Sequence, residues 1–537
     1  MTTRTVSLLL GILFLSSGAF ASQDFSTHRS EFLDAIRNMD ESRVRRGGIA
    51  VAQADHRQAV DTLLDGFGIC ARQGKLLSRE KAVNLRTMEE NSDFEIDTST
   101  NPPTIPAKEV DKYQRYEEAV KVGQGLEQKI MRIEKVKRAI ISAMTHFRSA
   151  GSVQHLVLKL KNDPLWQKRA GIAEAMGTLP EKSLDPVLLQ RLKKDAEPQV
   201  KIAILDALRV RKATGLEVVS GVSAQLKSRY WQVQSTALST LRALGPEQGK
   251  GAIEPLIKVL EKAKGRLQGE INKTLIAITG VNKHGSVTAW RAWWEENRPA
   301  LEAGQFQPRP EERAGRKQDV ATTFYGIPVD SENVIFILDN SGSMAEPSKW
   351  DVPEGVATGK PRKNRPAVKK EGNRKIDVAR WQLKQCLAGL KDGVKFNILF
   401  FNHEWKILSG KMIKLSSGSL KAAFKFIDEL EPVGGTNIYD PMEKAFTFAG
   451  AGLKDQLTRT NIDTIFLLTD GMPNAGQIPN GRDILLKIRE TNKTKKVKVN
   501  TVGVFGTLGG GNVVQEGESF LKELSENSGG KFVSTRK

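Results

Sequence analysis

Asp339, Ser341 and Ser343 alternate along NVIFILDNSGSM, the stretch from Asn333 to Met344. Alternate residues of a tight loop can aim a carboxylate and two hydroxyls at one point, and Gly342 permits unusual backbone angles between them. That is chemistry for a hard cation. Such a cluster needs distant partners, and the sequence offers two. Gly434-Gly435-Thr436-Asn437 is a glycine-led loop presenting a hydroxyl before a helix, and Ile465-Phe466-Leu467-Leu468-Thr469-Asp470-Gly471 is an apolar run ending in an aspartate. Strand-end turns with Thr436 and Asp470 as helix caps would explain each loop singly, but not the three together.

The elements that must position these groups are strands. Val334 to Leu338 is an apolar run short enough for a strand buried on both faces of a parallel sheet. After a possible edge strand over Thr322 to Pro328, strand and helix patterns alternate, as a doubly wound α/β sheet requires. Strands are expected at 334–339, 395–401, 405–411 (an edge), 463–469, 497–505 and 531–535. Helices are expected near 375–390, 419–430, 440–450, 482–491 and 518–527. In such folds ligands sit beyond the carboxyl ends of the strands where the winding reverses, and Asp339 and Asp470 occupy that edge.

At these residues the chain resembles the von Willebrand factor type A domain and its metal-ion-dependent adhesion site. That family's motif is Asp-x-Ser-x-Ser, then a Thr, then an Asp; Asp339, Ser341, Ser343, Thr436 and Asp470 match it in order. The resemblance implies a Rossmann-like domain over 331–537. It also implies Ser341 and Ser343 as direct metal ligands, with Thr436, Asp339 and Asp470 binding directly or through water. Mg²⁺ is the expected cation, with Mn²⁺ or Ca²⁺ as substitutes, and a partner's Asp or Glu is the natural sixth ligand. Asn340, Gly342, Gly434, Gly435 and Asn437 are expected only to shape loops.

Between the first metal loop and the next helix lies an insertion, roughly Ala345 to Asn373. Lys360, Arg362, Lys363, Arg365, Lys369, Lys370 and, at its edge, Arg374 supply positive charge. These cations are either a solvated loop or a means of steering an acidic partner.

Enzyme signatures are missing. The six histidines form no HExxH and no metal-ligand spacing with cysteine, and no GxSxG occurs. Two phosphate-loop near misses, at Gly355 to Lys360 and Gly245 to Lys250, are one residue short. Gly509-Gly510-Gly511 lacks dinucleotide spacing. His403 and Glu404 could pair as acid and base, though a turn explains them more simply. No enzymatic activity is expected.

At 537 residues the chain needs several domains. MTTRTVSLLLGILFLSSGAFASQ has the form of a secretory signal over 1–21, cut after Ala21, so the mature protein is expected in the periplasm, at the cell surface or secreted. No later stretch is apolar for long enough to span a membrane, and no cysteine near the cut offers lipid attachment. Cys70 and Cys386 are expected as buried free thiols. A net charge of +20 behind a signal peptide points to acidic proteins, anionic glycans or envelope surfaces rather than to nucleic acid, or to a generally basic surface with no dedicated partner.

The first half is helical. Segment 22–110 carries short amphipathic helices (Arg29 to Met39, His56 to Cys70) and a Pro-containing linker from Glu89 to Val110. Region 111–300 opens with a long helix or helical pair over Asp111 to Phe147. It continues with a repeating pattern in RAGIAEAM (Arg169 to Met176), VKIAILDAL (Val200 to Leu208), VQSTALSTL (Val233 to Leu241) and INKTLIAI (Ile271 to Ile278). The middle copies are offset by about 33 residues, within the range for stacked helical pairs, so this region resembles a HEAT-like α-solenoid. Trp290, Trp293 and Trp294 fit a closing helix, and 301–330 is a linker. The sequence thus describes an exported, non-enzymatic binding protein with a helical-repeat scaffold. A subunit of an assembly or chaperone complex and a metal-dependent hydrolase are the alternatives.

Overall fold

The computed structural model describes residues 24–91, 105–309, 312, 322–348, 362, 365, 366, 368–429, 431–448, 462–506 and 511–535. The expected signal segment lies outside them, as does most of the basic insertion. By contact density the chain forms two compact units. One takes residues up to Leu85 with Gly125–Gly221, and the other takes Arg86–Gln124 with Val222–Lys537.

The first unit is helical. It contains α1 (24–37), α2 (Glu41–Gln53), most of α3 (Arg57–Glu90), the later part of α4 (Val110–Met144), α5 (Ala150–Asn162), α6 (Trp166–Met176), α7 (Leu184–Lys194) and α8 (Pro198–Val210). α3 is one helix of 34 residues, far longer than the His56 to Cys70 segment expected. Glycines and a charge-rich run past Cys70 blur its periodicity, and tertiary packing supplies the helix. α5 packs on α6, α7 on α8, and α6 on α8. The repeat copies at Arg169 and Val200 fall on α6 and α8, whose Ile172, Met176, Ile204 and Leu208 are buried.

Buried arginines tie these helices together. Arg169 of α6 donates from Nε (2.9 Å) and Nη2 (3.1 Å) to Asp195, the C-cap of α7, while Arg191 donates from Nε at 2.6 Å. Burial works against ionisation of Asp195, yet the Arg169 bonds, the Glu197 amide and Arg191 outweigh it and hold its pKa below the ordinary value.

The second unit repeats the helical pattern and then becomes a sheet. α9 (Leu216–Ala224) crosses into it; α10 (Trp231–Gly249), α11 (Ile253–Leu260), α12 (Gly265–Thr279) and α13 (Val287–Glu302) follow. α10 packs on α12 and α11 on both α12 and α13. The copies at Val233 and Ile271 lie on α10 and α12. Trp290 and Trp293 of α13 are buried edge-to-face at 5.5 Å, and Trp290 Nε1 donates to Asn272 Oδ1 at 3.0 Å. The helix expected over these tryptophans is α13, which packs on α11. Cys70 and Cys386 are buried free thiols in separate units.

β1 (Thr323–Phe324) and β2 (Ile327–Pro328) form their own antiparallel hairpin, so Thr322 to Pro328 adds no edge to the main sheet. That sheet comprises β3 (Asn333–Asp339), β4 (Lys395–Phe401), β5 (Trp405–Ile407), β6 (Ile413–Lys414), β7 (Thr464–Thr469), β8 (Lys498–Gly503) and β9 (Phe532–Ser534). Its order is β5-β4-β3-β7-β8-β9, with β6 also paired to β4. β4, β3, β7, β8 and β9 are parallel, and β5 and β6 are antiparallel. The expected edge strand 405–411 is shorter, and β6 follows it. Helices α14 (Lys375–Gly389), α15 (Ser417–Asp428), α16 (Tyr439–Thr447), α17 (Gly481–Lys495) and α18 (Gly511–Glu526) complete the domain.

From β3 the chain goes to β4 on one side and later returns to β7 on the other. The winding therefore reverses between β3 and β7, which opens a crevice at their carboxyl ends. β3 and β7 are nearly all buried, as continuous apolar runs in a covered parallel sheet should be.

Candidate metal centre

Asp339 ends β3 and Asp470 follows β7, so the two strands deliver their carboxylates to the same crevice. Asp339 is wholly buried. Its Oδ1 accepts from the Ser341 amide at 2.7 Å and its Oδ2 from the Thr469 hydroxyl at 2.5 Å. Ser341 Oγ lies 3.2 Å from Ser343 Oγ, and Ser343 Oγ donates to Asp470 Oδ1 at 2.9 Å. Four of the five expected residues are thus linked by hydrogen bonds. The fifth, Thr436, places its hydroxyl 3.8 Å from where a Cβ on Gly471 would stand.

The second loop is held by its backbone. Gly342 N donates to Gly434 O (3.0 Å) and Val433 N to Asn340 O (2.9 Å). Thr436 N donates to Asn474 Oδ1 (2.7 Å), and Asn474 N returns to Thr436 O (2.9 Å). Asn437 N donates to Asn402 O (2.7 Å), and Asn340 Nδ2 to Glu431 O (2.8 Å). Gly434 has φ +76°, and a Cβ there would stand 2.0 Å from His403 Nδ1, so the loop requires glycine on both counts.

Electrostatically the pair of carboxylates is costly. Burial, and after it the Asp470 charge, push Asp339 up to about 7 despite the bonds from Ser341 and Thr469. Asp470 also accepts from Lys375 Nζ at 2.7 Å. Sequence reasoning passed over Lys375 as a helix start and Thr469 as the end of a strand. The Thr-Asp pair closing β7 was a visible signal for Thr469, but nothing local marks Lys375, which reaches the crevice only through the fold.

His403 and Glu404 lie beside this region without a direct hydrogen bond, 3.6 Å apart. Burial lowers the His403 pKa and raises that of Glu404 to about 7. Of the insertion's cations, Lys360 and Lys363 lie outside the described residues. Arg362 bonds the carbonyl of Gly389 and Arg365 pairs with Asp392. Their partners are at the C-terminal end of α14, the end remote from Lys375. Gly509 and Gly510 also lie outside the described residues.

Residues 370–533 match the family of the von Willebrand factor type A domain. The C-terminal domain is a von Willebrand factor type A domain. The match begins at residue 370, near the end of the insertion, so β3 and its Asp-x-Ser-x-Ser loop lie ahead of it. The chain is similar to inter-alpha-trypsin inhibitor heavy chain H4 of Homo sapiens, with 27% identity over 166 residues, covering 31% of this chain and 15% of that protein. It is similar to heavy chain H2 of Mus musculus, with 25% identity over 201 residues, covering 37% and 17%. The chain therefore spans less than a fifth of the length of these curated relatives. Among solved structures, a von Willebrand factor type A protein from Catenulispora acidiphila has 19% identity, a TM-score of 0.26 and coverage of 39% of this chain and 40% of that one. BatB from Bacteroides thetaiotaomicron has 15% identity, a TM-score of 0.24 and coverage of 37% and 88%. Among the described residues no helix is long and apolar enough to cross a membrane.

Whether the residues suit a cation follows from their donors. Among the described residues no three His, Cys, Asp or Glu side chains gather as a metal site, so any cation here would rest on hydroxyls as well as carboxylates. An all-oxygen set of that kind suits Mg²⁺ or a similar hard ion. Two carboxylates buried against each other are what such an ion would relieve.

Proposed function

We propose that this chain is an exported, non-enzymatic binding protein whose type A domain uses a Mg²⁺-dependent adhesion site to engage an acidic residue of a protein partner. Asp339, Ser341, Ser343, Thr436 and Asp470 would hold the ion. When bound, the ion would supply a coordination position for a carboxylate from the partner. The observation that carries this reading is the convergence of Asp339 and Asp470 with the Ser341 and Ser343 hydroxyls at the switch point of the sheet. Burial and the neighbouring Asp470 charge make an ionised Asp339 costly there, and a bound metal ion would offset that cost.

The chain's own residues prepare the site. The Ser341 amide and Thr469 hydroxyl orient the Asp339 carboxylate, and the Gly342–Gly434 bond sets two loops at a fixed distance. The stacked helical pairs, which we read as HEAT-like repeats, would offer a scaffold for further protein contacts. Affinity capture from the exported fraction tests this, comparing the native chain with Asp339→Ala in Mg²⁺ and in chelator. The partner is expected only with the native chain in Mg²⁺; identical captures under every condition would overturn the metal-bridged mechanism.

A further inference from the structure

Lys375 is the first residue of α14, and its side chain is 3% exposed. Its Nζ donates to Asp470 Oδ2 at 2.7 Å and to Glu346 Oε2 at 2.8 Å, and the Asp470 side chain is 1% exposed. The amine is placed by backbone as well as by charge. Lys375 N donates to Glu346 O at 2.8 Å, so the residue that returns the chain from the insertion is fastened to the residue that leaves the first metal loop. Gly506 closes over the pair: a Cβ there would fall 2.9 Å from Lys375 Nζ and 2.4 Å from Glu346 Oε2.

We infer that Lys375 is an internal cation that competes with the metal for Asp470, and that Glu346 sets how strongly it does so. This rests on the metal-site reading above and adds to it what tunes the affinity. A divalent ion among these oxygens would meet a fixed positive charge that already occupies one oxygen of Asp470, and like charges at this range repel strongly away from bulk water. Glu346 is the acceptor to which Lys375 remains attached when Asp470 turns to a metal. Without Glu346, the ammonium has Asp470 as its remaining carboxylate and holds it harder.

The two residues therefore have opposite effects, which a merely structural ion pair would not produce. Mg²⁺ is titrated calorimetrically into the full-length protein, into Lys375→Met and into Glu346→Gln. Lys375→Met is expected to bind Mg²⁺ about tenfold or more tightly than the native chain, because the repelling charge is gone while the stem length is kept. Glu346→Gln is expected to bind more weakly. Native binding with Lys375→Met unchanged or weakened overturns the competition but leaves the metal site standing. Absence of Mg²⁺ binding by both the native chain and Lys375→Met overturns the metal site itself. Should Lys375→Met not fold, Glu346→Gln decides: tighter or unchanged binding overturns the inference, and weaker binding supports it.

Discussion

The Gly342 amide donates to the Gly434 carbonyl at 3.0 Å, joining the loop after β3 to the loop before α16 across 92 positions of sequence. Both loops of the proposed metal centre depend on this bond, and Gly434 makes it at φ +76° with no Cβ facing His403. Gly434→Ala is expected to destabilise the domain by roughly 1–3 kcal/mol from backbone strain, with further loss where His403 must move. Urea unfolding of the variant checks this, and His403→Ala in the same background should recover part of the loss.

In the helical unit Asp195 gathers Arg169, Arg191 and the Glu197 amide. Removing one member of a buried ion pair leaves the other charge uncompensated. Asp195→Ala should therefore cost about 3–5 kcal/mol. Chemical denaturation gives the value, and an unchanged midpoint would show that the arginines find other acceptors.

Burial raises Glu404 from 4.5 to about 7, with Lys406 opposing, and its Oε1 has no hydrogen-bond partner. A carboxyl with a raised folded pKa favours the protonated fold, so its contribution to stability is present below 4.5 and is lost as pH climbs through 7. Glu404→Gln should be as stable as the native chain at pH 4.5 and more stable by roughly 1–3 kcal/mol at pH 8. Unfolding curves at the two pH values supply the comparison.

Asp339 carries the same sign, its pKa raised from 3.8 to about 7. Asp339→Asn, whose amide can donate to a rotated Thr469 hydroxyl, should hold the metal-free fold at pH 8 as well as the native residue or better. It should also abolish stabilisation by Mg²⁺. For the native chain that stabilisation is expected at about 2.7 kcal/mol at a hundredfold excess over the dissociation constant. Thermal midpoints with and without Mg²⁺ test both halves.

The sheet was legible because its central strands are unbroken apolar runs with an aspartate at the end, and because parallel order follows from alternating helices. Asp339, Ser341, Ser343 and Asp470, which hydrogen bonds link, were legible because each stands at the end of an apolar strand or in the loop just after it. Two things were not visible. α3 runs through glycines and charges that hide its period, so only packing shows its length. Lys375, 36 positions after Asp339 in the sequence, reaches the crevice because backbone bonds fold the insertion back on itself. The Arg169–Asp195 pair was hidden too, because charge pairing between helices has no periodicity to read.

Ser348 N donates to Asn373 O at 2.7 Å, and Pro347 bridges Arg374 beside the Lys375–Glu346 bond, so the excursion starts and finishes at a zipped stem. The two ends of the excursion are thereby held together by the domain itself. That stem is where an engineer would graft a foreign epitope within reach of the crevice.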